Sequence, residues 1–183
     1  DNLIRQLENK QIVVYPTSNT RTKAPLEERL LVARSRFTKL YLAIQSSTGA
    51  HDCIRLYTPS REGRYSEMKK WEYSSSNDAE KSLVESIKKM ELDQILTDSS
   101  RFADSLSAAI KESSSSLCTE KKTKRSYTLD NTDQPTILID LVVSKKDKKS
   151  ALLQNEEISN KLAAAISKSV DDYFTSSARP NND

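Results

Sequence analysis

Apolar residues follow two rhythms along this chain, a helical one of three to four residues and a strand-like one of two, and the rhythms alternate. Asn2 to Glu8 reads as the end of a helix, with Leu3, Ile4 and Leu7 on one side. Gln11 to Tyr15 is a short β-branched run and is expected to be a strand. Pro25 can open a helix, because its missing N–H would be unpaired there. Leu26, Leu30, Ala33 and Phe37 then recur at helical spacing, with Glu27, Glu28, Arg29 and Arg34 on the wet side. Lys39 to Gln45 alternates Leu40, Leu42 and Ile44 against Tyr41 and Ala43, a second strand, and Asp52 to Tyr57 looks like a third. Pro59 to Asp78 holds Gly63, Trp71, Tyr73 and three successive serines, and reads as a long loop or insertion. A helix is expected from Ala79, carrying Leu83, Ile87 and Met90, and a second after Asp98, carrying Phe102, Leu106 and Ile110.

Ser113 to Lys124 is rich in serine and lysine and is expected to be a solvated loop. Ser126 to Leu129 reads as a short strand. Thr136 to Val143 is a nearly unbroken apolar run, the pattern of a central strand buried on both faces, and Asp140 interrupts it. Lys145 to Lys149 is a basic turn. Glu156 to Phe174 carries Ile158, Leu162, Ile166, Val170 and Phe174 in one stripe, a long amphipathic helix. Together these segments predict a single α/β domain over residues 1–174, with a mixed, largely parallel central sheet flanked by helices. The 39–45 and 136–143 strands are expected near its middle, and residues 175–183 form a polar tail.

Composition narrows the function classes. The chain has 183 residues, 36% apolar and 30% charged, and its 29 basic and 26 acidic residues leave a net charge of +3. So even a mixture exerts no pull toward nucleic acid or a membrane surface. No apolar run is long enough to span a bilayer, and no signal peptide is visible. The two cysteines, Cys53 and Cys118, match no metal motif. A disulfide would fit an oxidising compartment, and two unpaired thiols are the preferred reading. His51 is the only histidine. A catalytic zinc site usually takes three protein ligands, mostly histidine, and this chain cannot supply that set.

In order along the chain stand Thr20-Arg21, Leu26-Glu27-Glu28-Arg29 with Ala33, Leu42-Ala43-Ile44-Gln45-Ser46-Ser47, then Thr128-Leu129, Pro135 and Leu138-Ile139-Asp140, and finally Lys161-Leu162-Ala163-Ala164-Ala165-Ile166 with Tyr173-Phe174. This ordered series resembles the zinc-dependent N-acetylmuramoyl-L-alanine amidases (Amidase_3 type), which cut the bond between sugar and stem peptide in peptidoglycan. The similarity covers nearly the whole chain, and most of it is core pattern.

The resemblance implies a site, and here the chain departs from the family. The first two zinc ligands would lie upstream of the segments seen here, since the ten residues before Gln11 are too few to hold the strand and helix that carry them. Gln45 stands where the family has its Ser-Ile-His histidine, and a neutral amide is a poor zinc ligand. Asp140 stands at the family's catalytic glutamate, one methylene shorter, and such a misplacement costs roughly 100-fold. Gln45 and Asp140 are therefore expected as remnant positions at neighbouring strand ends, with no catalytic residue, no metal and no cofactor. Gln45 reads first as a strand-end hydrogen-bonding residue. Asp140 is harder to dismiss, because a buried carboxylate needs a partner.

Trp71, Tyr73 and Arg21 are the candidate binding residues, with ordinary packing as the alternative. A zinc site rescued by His51 and one aspartate would be incomplete. The expected function is a catalytically inactive amidase-like domain that binds an envelope protein or peptidoglycan in the periplasm or outside the cell, with no nucleic acid and no membrane span. The alternatives are a divergent or truncated zinc amidase, and an intracellular interaction module whose resemblance is fortuitous.

Overall fold

In the computed structural model, residues 2–17, 24–69, 78–115, 117–145 and 155–177 are described. In chain order the elements are α1 (Asn2–Glu8), α2 (Leu26–Ser35), β1 (Tyr41–Gly49), β2 (Cys53–Pro59), α3 (Arg61–Lys69), α4 (Asp78–Ser113), β3 (Thr119–Lys124), α5 (Tyr127–Asp130), β4 (Thr136–Ser144) and α6 (Glu156–Ser177). The four strands form one sheet in the order β1-β4-β2-β3. β1 runs parallel to β4 and β3 parallel to β2, while β2 and β4 are antiparallel, so the sheet is mixed and mostly parallel. The apolar run of β4 takes an inner place, as its pattern predicts. The strand expected at 39–45 extends to Gly49 and lies at the edge instead, paired on one side only. Ile44, half exposed on that strand, reflects its edge position.

Alternation along each strand gives the sheet two unlike faces. Ile54, Leu56, Ile137 and Ile139 point to one face and join Phe102, Leu106 and Ile110 of α4 and Ile166 and Val170 of α6 in the main core. Phe102 meets Tyr173 edge-on, with ring centroids 5.8 Å apart. Burying any one of these large side chains contributes roughly 1.5–3 kcal/mol. The opposite face is covered at one end by α2, where Leu30 and Ala33 pack on Tyr41. Leu138 and Val142 of β4 are buried on that face too, and the polar side chains of the sheet stand between them.

Several expected elements take another form. Gln11 to Tyr15 is not in the sheet, although Ile12 and Val14 lean on the core while Val13 and Tyr15 face solvent. Its β-branched alternation has no strand to pair with. Phe37 leaves the α2 stripe, because the chain turns at φ 49° there and the ring stands 89% exposed. Arg61–Lys69 is helical, so the long loop does not begin at Pro59. The two helices expected on either side of Asp98 are one helix of 36 residues. No glycine or proline interrupts it, and Ser86, Thr97, Ser99 and Ser113 return their hydroxyl protons to the carbonyl four residues back. Leu83, Ile87 and Met90, the apolar residues of the first expected helix, are exposed. Thr119–Lys124, expected as loop, is an edge strand. Ser126 to Leu129 is no strand: the Ser126 hydroxyl accepts from Leu129 N–H and caps a short helical turn. Among the described residues no helix is long and apolar enough to cross a membrane.

Candidate functional site

The register of the sheet lines up one residue from each strand. Gln45 of β1 lies opposite Asp140 of β4, Asp140 opposite Arg55 of β2, and Arg55 opposite Glu120 of β3. Side chains at matched positions of paired strands share a face, so amide, carboxylate, guanidinium and carboxylate form one row across the polar face. Gln45 and Asp140, expected as remnant positions, are thus brought together as nearest neighbours. They sit within the strands rather than at their ends, because β1 and β4 both run four residues further. The row crosses the middle of β1 and β4, each nine residues long.

Asp140 is 4% exposed. Its Oδ2 accepts from the Ser47 hydroxyl at 2.9 Å, and its Oδ1 has no hydrogen-bond partner. An orphaned buried oxygen costs of the order of 1–3 kcal/mol, so its retention in an apolar run wants a reason. Arg55 donates from Nε to Glu120 Oε2 at 2.9 Å, and Lys122 donates to the same oxygen at 2.6 Å. The hydrogen bond from Lys122, and next that from Arg55, holds the Glu120 carboxyl below the usual range, while the bond to Glu120 raises the Arg55 guanidinium. Sequence reading missed this pair, because Arg55 and Glu120 are distant in sequence and Glu120 falls in a stretch that reads as loop.

One row further along, Cys53 and Cys118 form a disulfide, with Cα atoms 4.6 Å apart. This corrects the expectation of free thiols. Cys53 begins β2 and Cys118 immediately precedes β3, so the parallel pairing of the two strands brings the sulfurs together. His51 sits beside them, with Nε2 3.9 Å from Cys118 Sγ. Arg29 is half-buried and donates to the Ala24 carbonyl at 2.8 Å, a structural role. Arg21, Trp71 and Tyr73 lie outside the described residues.

The donors around Asp140 do not suit a zinc ion. Gln45 offers a neutral amide oxygen and Ser47 a hydroxyl, and the only imidazole of the chain lies with the cysteines. Zinc prefers imidazole, thiolate and carboxylate.

A polar row on one face of a mostly parallel sheet, with helices packed on both faces, is the architecture of an open α/β domain. Within that class, the chain belongs to the N-acetylmuramoyl-L-alanine amidase family, whose profile matches residues 1–172. Its fold is similar to the catalytic domain of CwlV, an N-acetylmuramoyl-L-alanine amidase from Bacillus (Paenibacillus) polymyxa var. colistinus. The two share 15% identity over 95% of this chain and 79% of that one, with a TM-score of 0.66. It is also similar to the amidase AmiC2 of Nostoc punctiforme, at 14% identity, 95% and 79% coverage and a TM-score of 0.64. The amidase Ami1 of Mycobacterium smegmatis is similar at 13% identity, 96% and 73% coverage and a TM-score of 0.64. Comparison with curated protein sequences finds no match.

Proposed function

We propose that this domain keeps the amidase scaffold as a binding module of the bacterial cell envelope and does not itself hydrolyse peptidoglycan. The supporting observation is the composition of the row beside Asp140: an amide, a hydroxyl and a guanidinium–carboxylate pair, with no imidazole. A zinc amidase needs the metal to lower the pKa of the attacking water and to polarise the scissile carbonyl. Asp140 alone offers general-base help, typically 10²–10⁴-fold, against the roughly 10⁶-fold or more expected of an enzyme.

The same row suits recognition. Gln45 is exposed and both donates and accepts, and Arg55 adds a cation, a set that complements the amides and carboxylates of a stem peptide. Trp71, Tyr73 and Arg21 are further contact candidates by residue type, for peptidoglycan or for an envelope protein.

The test uses purified protein and isolated sacculi. No stem peptide should be released, with or without added zinc. The protein should co-sediment with sacculi or recover a partner from envelope extract, and Trp71→Ala or Gln45→Ala should weaken that binding. Peptide release that Asp140→Asn abolishes would restore the enzyme and end this reading.

A further inference from the structure

We propose that reduction of the Cys53–Cys118 disulfide opens a site for a zinc-like divalent cation, held by the two sulfurs, the His51 imidazole and the Glu120 carboxylate. Among the described residues this is the one group of His, Cys, Asp and Glu side chains whose donor atoms converge, all within 4.8 Å of one another. It shares Glu120 with the row but includes neither Gln45 nor Asp140, and it does not depend on the binding role proposed above.

The geometry needs little change. Zinc–sulfur bonds of about 2.3 Å and zinc–nitrogen bonds of about 2.0–2.1 Å put neighbouring donors of a tetrahedral site roughly 3.3–3.8 Å apart. His51 Nε2 already lies 3.9 Å from Cys118 Sγ. The sulfurs must separate from a bond to about 3.8 Å, and donors now as far as 4.8 Å apart must close by about 1 Å. Side-chain rotation can supply that while the strands stay paired, as Ile54 N–H donates to the Cys118 carbonyl at 2.8 Å and Ile54 faces Thr119.

The loop that carries His51 is pinned. Ser144 N–H donates to Asp52 Oδ1 at 2.7 Å, and Lys145 N–H to the Gly49 carbonyl at 3.1 Å, both from the end of β4. Cys53 is buried and His51 exposed, so a cation would enter from solvent and meet the sulfurs behind the ring. Glu120 is the weakest of the four, because Arg55 and Lys122 already hold it. The sulfurs and the imidazole would carry the affinity.

The chemistry balances with a dithiol as reductant. The disulfide takes two electrons and two protons, and the dithiol leaves as its own cyclic disulfide. Each thiol then releases its proton to solvent as its sulfur binds the cation. While the disulfide stands, neither sulfur is a thiolate and the site is closed.

The experiment titrates the full chain with cobalt(II) under anaerobic conditions, either oxidised or reduced with a phosphine, and then adds zinc. The reduced protein should bind one equivalent, with thiolate-to-cobalt charge transfer and the visible bands of tetrahedral cobalt, and zinc should displace it. The oxidised protein should show neither. His51→Ala and Glu120→Gln both retain the disulfide, so their folding is checked in the oxidised state by circular dichroism. His51→Ala should weaken binding by more than roughly tenfold, the loss that removing even an outer partner can cause, and Glu120→Gln by less. Absence of the charge-transfer bands in reduced protein would overturn the proposal. So would equal binding by oxidised protein, binding undiminished by His51→Ala, or native circular dichroism lost on reduction and not restored by cobalt.

Discussion

Arg64 leaves α3 as a guanidinium only 5% exposed and spreads its donors over the segment that leads into β4. It donates to the Thr132 carbonyl, to Thr132 Oγ1 at 2.5 Å, to the Gln134 carbonyl at 3.3 Å and to Thr136 Oγ1 at 3.5 Å. Burial pulls its pKa down to about 10, against the attraction of Asp130 and Asp133, and Arg34 pushes the same way as burial. It remains charged at neutral pH, at a desolvation cost of roughly 3 kcal/mol. Arg64→Met would relieve that cost and keep much of the aliphatic stem, but would strip the guanidinium donors from the buried Thr132 carbonyl and hydroxyl, while the Gln134 carbonyl keeps the Thr136 hydroxyl at 2.9 Å. The two short charge-assisted bonds to Thr132 contribute about 1.5–3 kcal/mol each, and the longer ones to Gln134 and Thr136 add to that loss. The acceptors outweigh the relief, so a net loss of about 2–4 kcal/mol is expected. For a chain this long each kcal/mol moves Tm by about 2–4 °C, giving a fall of roughly 5–15 °C. Arg64→Lys should recover only part of it, since one ammonium cannot reproduce the guanidinium fork. Urea unfolding at unchanged slope gives the same quantity independently. Met within about 1 kcal/mol of the parent, or more stable, would refute the reasoning: the charge would then be a burden that apolar packing removes, as in some buried ion triads.

A Cβ added at Gly63 would stand 2.5–2.7 Å from the Asp130 carboxylate, whose Oδ2 accepts from Ser126 N–H at 3.0 Å. Gly63→Ala should therefore destabilise by about 1–2 kcal/mol despite its better helix propensity, and Asp130→Ala in the same chain should cancel much of the difference in a double-mutant cycle. Asp140→Val removes a buried oxygen without a partner and leaves Ser47, which is half-buried, to water. A thermal melt at neutral pH should show Tm unchanged or raised by a few degrees, and a clear fall would mean that Asp140 has a structural partner the geometry does not reveal.

How much of the fold could be read from the sequence depended on where each element sits. β4 and α6 were legible because they are buried, and burial writes a period into the residues: Ile137 and Ile139 in one, Ile166 and Val170 in the other. β3, Thr-Glu-Lys-Lys-Thr-Lys, was not, because an edge strand with lysines on it has no apolar alternation to show, and lysine suits an edge that must not recruit another strand. The 36-residue α4 was divided at Asp98 because the apolar residues of its first half, Leu83, Ile87 and Met90, belong to an exposed stripe, not to the core that Phe102 and Leu106 enter. Gln11 to Tyr15 shows the reverse error: β-branched residues state a preference, and only a partner strand makes it a ladder.

The site divides in the same way. Asp140 could be picked out because a carboxylate inside an apolar run is conspicuous in one dimension, and the family resemblance supplied Gln45. The Arg55–Glu120 pair and the His51, Cys53, Cys118, Glu120 cluster exist only through the order β1-β4-β2-β3 and its register, which no local spacing encodes. That geometry also bears on why a chain can belong to the amidase family with an altered donor set. Neighbouring residues of a strand point to opposite faces, so Ile139 belongs to the core against α4 and α6 while Asp140 belongs to the polar row. Substitutions in the row leave the packing of Ile54, Leu56, Ile137 and Ile139 untouched, and the stability of the fold rests on that packing. The scaffold can therefore persist while the chemistry on its other face changes, and the row itself, with an amide beside Asp140, is what must be tested for activity.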